Sequence, residues 1–157
     1  IETYWSKFEN IWFHGDYVLK DEDNLWYMQG RTDDVINVSG HRMSTAEIEH
    51  TVISHKKISD AASIAIPDDI TGEAIVVFFV AENKDDTNLE NEITEHISKK
   101  IGKIAKPRFI IQLTDLPKTR TGKIMRRLLK SKILGKPLGD LSSLENPHIL
   151  NEIQKIN

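Results

Sequence analysis

Between Leu116 and Arg127 the chain reads Leu-Pro-Lys-Thr-Arg-Thr-Gly-Lys-Ile-Met-Arg-Arg, and no other stretch packs so much reactive chemistry together. Lys118, Arg120, Lys123, Arg126 and Arg127 crowd into it, and Gly122 stands directly before Lys123. Pro117 ends whatever precedes it, because its ring fixes φ and removes a hydrogen-bond donor. Thr119, Thr121 and Gly122 then favour a turn whose backbone can approach another molecule closely. The spacing predicts that Lys123 opens a helical run, so that its ammonium projects from a rigid base beside a loop. Such an ammonium is a point charge suited to an oxyanion. The plainer alternative is a surface turn followed by a solvated basic helix. A Walker-type phosphate loop is excluded, since Ile124 follows the lysine where Ser or Thr is required.

The elements that must position this loop follow from periodicity. Val18–Leu19 and Leu25–Met28 flank Lys20-Asp21-Glu22-Asp23-Asn24, which reads as a hairpin with Asn24 at a positive-φ position. The Asp21/Asp23 pair lacks the later ligands of a calcium loop, so a turn is the better reading. Gly30-Arg31-Thr32-Asp33-Asp34 is a polar break. Val35–Val38 is a short strand that ends at Ser39-Gly40-His41-Arg42. Ser44-Thr45-Ala46-Glu47 forms a capping box, and the helix after it runs to about His55 with Ile48, Val52 and Ile53 on its apolar stripe. Ala61–Ile66 reads as a strand stopped by Pro67, and Glu73–Ala81 as its β-branched, aromatic antiparallel partner. Thr87-Asn88-Leu89-Glu90 starts a second helix, in which Leu89, Ile93, Ile97 and Ile101 share a face. Phe109–Leu113 is a third strand. The basic loop follows, then a helix to about Leu134 with Ile124, Leu128, Leu129 and Ile133 inward. The fold expected is α+β: a small two-layer domain with a mainly antiparallel three-stranded sheet and packed helices, preceded by a β-hairpin segment.

Composition narrows the function. The 157 residues, 39% apolar and 29% charged, suit one globular domain with an appendage. No apolar run approaches the roughly 18 residues of a membrane span, and no basic start with an apolar core marks a signal peptide. Zero cysteines exclude disulfides and thiolate chemistry and fit a cytoplasmic location. A net charge of −3 argues against a nucleic-acid binder, so the positive cluster after Pro117 reads as a focused anion site. The abrupt start at Ile1 suggests a piece of something longer.

Four segments, in this order and spacing, resemble the C-terminal part of the adenylate-forming acyl-CoA synthetases. They are His14-Gly15-Asp16, Gly30 through Arg42, Thr45-Ala46-Glu47-Ile48-Glu49, and Pro117–Arg127. Asn37-Val38-Ser39-Gly40-His41-Arg42 and Lys118-Thr119-Arg120-Thr121-Gly122-Lys123 carry the wording of the acetate–CoA ligase subgroup, as do the Tyr4-Trp5 start and the Gly139–Pro147 tail. The resemblance covers nearly the whole chain.

It implies a reaction in two halves. A carboxylate attacks the α-phosphate of Mg-ATP to give an acyl-adenylate and pyrophosphate; the CoA thiol then attacks the acyl carbonyl and expels AMP. By the match, Lys123 is catalytic in the first half and Asp33 is the hinge about which the domain swings. Asp16 binds the nucleotide ribose hydroxyls, which suits a carboxylate with two acceptors and no donors, and Arg31 contacts the ribose and phosphate region. Gly40 lines the pantetheine channel and Arg42 is a CoA-side or phosphate contact. His41 carries no assigned chemistry, and no protein-bound metal is expected. The implied substrates are ATP with Mg²⁺, CoA and a short carboxylate. The implied partners are the chain's own N-terminal domain and a lysine acetyltransferase or deacetylase acting at Lys123, with no nucleic acid and no membrane.

Residues 1–32 would be the edge of that N-terminal domain, 33–140 the mobile lid and 141–157 a tail. The family's phosphate loop, adenine pocket and acyl pocket are not in this chain, so the fragment alone is expected to be inactive. Propionate in place of acetate, or a detached non-catalytic binding module, are the alternatives. Two residues depart from the family pattern. His14 stands where Thr is usual, and Ser98 where an Arg often holds the CoA 3′-phosphate, leaving Lys99, Lys100 or Lys103 as substitutes.

Overall fold

The computed structural model describes residues 5–6, 8–32, 34–82 and 88–156; Asp33, Thr87 and Tyr4 lie outside them. The expected hairpin is present as β1 (Asp16–Lys20) and β2 (Trp26–Arg31), paired antiparallel. Asn24 takes φ +64° in its turn, and the Asp21 carboxylate accepts from the Leu25 N–H at 2.9 Å. That bond holds the Asp21 carboxyl below the usual carboxylate range. Both features mark a turn whose shape is written in short polar side chains.

The chain then enters a five-stranded sheet ordered β4-β3-β6-β5, with β7 also on β6. β3 (Val35–Val38) and β4 (His41–Ser44) form a tight hairpin. Its two loop residues, Ser39 (φ +49°) and Gly40 (φ +84°), are both left-handed. This is the two-residue turn whose twist matches the strands it joins. The sequence reading ends its strand at Ser39–Arg42 and has no second strand there; β4 forms because pairing with β3 supplies the hydrogen bonds that local propensity does not. Ser44 then caps α1 (Thr45–Ile53), its Oγ accepting from the Ala46 N–H at 3.2 Å. Ile48 and Val52 face inward as expected; Ile53 does not, and stays 42% exposed.

β5 (Ile58–Asp68) and β6 (Gly72–Ala81) are the long antiparallel spine. β5 runs through Pro67, which the sequence reads as a stop. As the outermost strand of the sheet, it tolerates a residue with no N–H. After α2 (Leu89–Lys100) and a 3₁₀ turn (Lys103–Ala105), β7 (Phe109–Gln112) lies parallel to β6. A helical crossover returns the chain to the same end of the sheet, which is what parallel pairing requires.

Alternation along β6 divides the core. Ile75, Val77 and Phe79 pack with Ile48 and Val52 of α1 and with Leu89, Ile93 and Ile97 of α2. Ala74, Val76 and Phe78 face the other way, against α3 (Arg126–Ile133) through Leu128, Leu129 and Ile133. The tail completes this second layer: Ile149, Leu150 and Ile153 are buried against the same face. The α+β class stands, with β5, β6 and β7 as the three expected strands, but helices or tail cover both faces of the sheet. A further expectation is corrected. Lys123 does not open the helix; α3 begins at Arg126. The Met125 N–H donates to the Pro117 carbonyl at 2.7 Å and Lys118 pairs with Ile124, so the chain stays extended up to that point.

Candidate functional site

The Lys118–Ile124 segment is a small hairpin. The Gly122 N–H donates to Thr119 O at 2.8 Å, the Thr119 N–H to Lys123 O at 2.9 Å, and the Lys123 N–H to Thr119 Oγ1 at 3.1 Å. Gly122 sits at φ +83°, a conformation that strains any residue with a Cβ. Lys123 is exposed on this turn.

The cations around it are occupied. Lys118 Nζ bridges Asp60 and Asp115, each at 2.9 Å. Burial works against its charge, but the hydrogen bonds to the two carboxylates prevail and raise its pKa above the ordinary lysine value. Asp115 responds in the opposite sense: burial would raise it, and bonds from Lys118 and the Leu116 N–H bring it below the usual range. Arg126 forms a two-pronged pair with Glu49, Nε to Oε1 at 2.8 Å and NH2 to Oε2 at 2.6 Å. The Glu49 hydrogen bond, partly opposed by burial, pushes the Arg126 pKa up. Arg127 donates to the carbonyls of Leu138 and Asp140. Arg120 lies 3.8 Å from Glu145, both largely exposed. Among the described residues, Lys123 alone of these five has no ion pair or side-chain hydrogen bond. The positive cluster therefore resolves into three cations committed to the fold (Lys118, Arg126 and Arg127), Arg120 loosely facing Glu145 at the surface, and Lys123, which is available to a ligand.

The expected nucleotide-side residues also meet. Asp16 and Arg31 are direct cross-strand partners in the hairpin, and Arg31 NH1 lies 3.6 Å from Asp16 Oδ1. Arg31 also donates to the His14 carbonyl at 3.1 Å, and the His14 ring pairs with Asp16. Gly15, at φ +87°, lies beneath the guanidinium: a Cβ there would come within 3.3 Å of Arg31 NH2. Arg31 and Arg42 line one concavity of about 290 Å³, together with Tyr17, Val35, Met43, Ser44 and Glu47. Two arginines in its lining, against the single carboxylate of Glu47, suit a phosphate-bearing ligand. Gly40 stands at the tip of the β3–β4 turn, with no atom within 4 Å of where a Cβ would be. Lys123 does not line that hollow, so the structure separates it from the Arg31–Arg42 group. Ser98 is half-buried on α2, with Lys99 and Lys100 exposed beside it.

Spacing gives no hint of Glu49, which pairs with a residue 77 positions away. It is buried, and its Oε1 also accepts from the Ser63 N–H at 2.7 Å. Among the described residues, no cluster of three acidic, histidine or cysteine side chains could hold a metal ion, and no helix is long and apolar enough to cross a membrane.

Residues 47–123 match the model of the AMP-binding enzyme C-terminal domain. That segment belongs to the family. The chain has relatives along nearly its whole length. It is 41% identical over 157 residues to the acetyl-coenzyme A synthetase of Methanothrix thermoacetophila, covering 99% of this chain and 24% of that protein. Its identity to the Pyrobaculum arsenaticum acetyl-coenzyme A synthetase is 44%, covering 99% of this chain and 23% of the relative. The acetyl-coenzyme A synthetase 2 of Candida albicans is 43% identical over 159 residues, covering 98% and 24%. The chain thus spans about a quarter of the length of the curated relatives it matches. Among solved structures it superimposes on the anthranilate CoA ligase AuaEII in complex with anthranoyl-AMP, with a TM-score of 0.70 and 35% identity over 79% of this chain and 25% of that one. ATP-bound MatB from Rhodopseudomonas palustris gives a TM-score of 0.72 at 23% identity, over 80% of this chain and 25% of that one, a likeness of fold.

Proposed function

We propose that this AMP-binding C-terminal domain is the mobile lid of an acetyl-CoA synthetase-type ligase, converting acetate, ATP and CoA to acetyl-CoA, AMP and pyrophosphate through acetyl-adenylate. The observation that carries it is that Lys123, among the described residues, is the one cation of its loop without an ion pair and stands on an exposed turn, within a chain whose relatives along nearly its whole length bear that name.

In the first half-reaction the acetate oxygen and the α-phosphate oxygens repel each other as they approach. Lys123 supplies compensating charge there, and one well-placed donor is worth roughly 10²–10³ in rate. Asp16 accepts from the ribose hydroxyls, and Arg31, held by Asp16 and His14 O, is aimed at the ribose and phosphate region. His14 stands where Thr is usual, and its ring pairs with the Asp16 carboxylate. In the second half-reaction the thiol of CoA attacks the acyl carbonyl and AMP leaves. Gly40 then leaves room for the pantetheine arm, and Arg42 serves CoA-side phosphate. The domain turns about Asp33 between the two tasks. Residues 1–32 form the edge of the larger N-terminal domain, 33–140 the lid and 141–157 its tail. Mg²⁺ arrives with ATP. Acyl choice between acetate and propionate rests in the N-terminal domain. Without cysteines the chain suits the reducing cytoplasm, and the exposed Lys123 is open to acetylation, which would remove its charge and with it the first half-reaction.

The test uses the full-length enzyme bearing Lys123→Ala. Acetate-dependent ATP–pyrophosphate exchange should collapse by roughly 10² or more, while CoA attack on supplied acetyl-adenylate survives. Undiminished exchange would sink the proposal.

A further inference from the structure

The turn that presents Lys123 does not hold itself in place. A lone two-stranded hairpin is marginal in water, and Pro117 at its root has no N–H with which to join a neighbour. The support comes from the far end of the chain. Asn146 Oδ1 accepts from the Lys118 N–H at 3.1 Å, and its Nδ2 donates to the Leu116 carbonyl at 2.8 Å and to Asp115 Oδ2 at 2.9 Å. The amide thus bonds to the backbone on both sides of Pro117 and uses its acceptor and both donors. Two backbone contacts reinforce it: the Glu145 N–H donates to Lys118 O at 2.9 Å, and Thr119 bridges Leu144. Asn146 is itself fixed, since its carbonyl accepts from the Ile149 N–H at 3.2 Å at the start of the 3₁₀ turn Pro147–Asn151, whose Ile149 and Leu150 are buried against the sheet. The chain of support runs from core to strap to turn to ammonium. Asn146 lies outside the matched segment, which ends at Lys123.

We propose that Asn146 is a positioning residue for Lys123: its side-chain amide locks the root of the lysine turn, so that acyl-adenylate formation depends on a residue from the C-terminal tail. This rests on the reading that Lys123 acts in the adenylation half-reaction. Misplacing a charge by about an ångström costs up to roughly a hundredfold in rate without loss of ground-state binding.

The full-length ligase is compared as wild type, Asn146→Ala, Asn146→Asp and Lys123→Ala. Asn146→Ala should lower kcat for acetate-dependent ATP–pyrophosphate exchange by roughly ten- to a hundredfold with KM for ATP within about twofold. CoA attack on supplied acetyl-adenylate should stay near wild type, and amide exchange at Gly122 and Lys123 should quicken. Asn146→Asp keeps the acceptor for the Lys118 N–H but sets a second carboxylate against Asp115 and the Leu116 carbonyl, so it should lose exchange at least as strongly as the alanine variant; thermal melts of each variant separate loss of fold from loss of the turn's position. Equal loss in both half-reactions reports a merely structural role and overturns the assignment. Unchanged exchange in Asn146→Ala beside an inactive Lys123→Ala overturns it alone. Normal exchange in Lys123→Ala overturns the functional reading and the assignment with it.

Discussion

At the scale of single residues, the decisive property is whether a side chain is already spoken for. Lys118 and Arg126 carry the same formal charge as Lys123 but are consumed by Asp60, Asp115 and Glu49. Charge counting along the chain cannot distinguish them. Gly40 poses a similar question of role. Its left-handed φ makes an alanine there cost about 1–2 kcal/mol of backbone strain, yet no protein atom would touch the added methyl. Gly40→Ala in the full-length enzyme should therefore melt only slightly lower, while CoA attack on acetyl-adenylate slows well beyond what the strain explains. Parallel thermal melts and single-turnover thiolysis check this. A thioester step that stays fast would remove Gly40 from the pantetheine path.

At the scale of elements, the Glu49–Arg126 pair is the tie that fixes where α3 starts. Glu49 is 8% exposed on α1, also accepts from β5 through Ser63, and grips the first residue of α3. Two helices from opposite faces of the sheet are thereby tied together. Removing one member of such a pair strands the other charge, at about 3–5 kcal/mol, whereas replacing both with apolar groups of similar size is often tolerated. Glu49→Leu should lower the urea midpoint sharply, and Glu49→Leu with Arg126→Met should recover much of it. A double-mutant cycle measures the recovery; purely additive losses would show that the pair does not act as a unit.

At the scale of the molecule, polar ties between distant segments set the pH range of the fold. Lys118 connects β5, through Asp60, to the basic loop, and Asn146 adds the tail. Asp115 has a depressed folded pKa, so its contribution is present above the unfolded value of about 3.9 and is lost as pH falls through the lowered folded value. Lys118 has a raised folded pKa, so its contribution is full below about 10.4 and is lost as pH rises through the raised value. The stability difference between wild type and Lys118→Met should thus be a plateau across neutral pH that shrinks at both ends. Denaturant midpoints from acid to alkali test it, and a difference independent of pH would refute the node.

The sequence by itself determined the pieces whose cause is local. The Asn24 turn, the Ser44 cap, the β-branched run of β6 and the apolar stripes of the helices, Ile53 and Ile124 excepted, depend on neighbours within a few positions, and they appear where periodicity and turn chemistry place them. The four motifs were equally legible, because they lie in order along the chain. Only the tertiary structure decided the rest. β7 lies parallel because a helix intervenes, Pro67 stays in its strand because that strand is at the edge, and α3 waits until Arg126 because the turn before it is paired. Asp16 meets Arg31 through strand register, and the tail reaches Lys118 through burial of Ile149 and Leu150. Each of these depends on groups far apart in sequence, whose meeting is driven by the common need to remove apolar surface from water, and no spacing along the chain records that need.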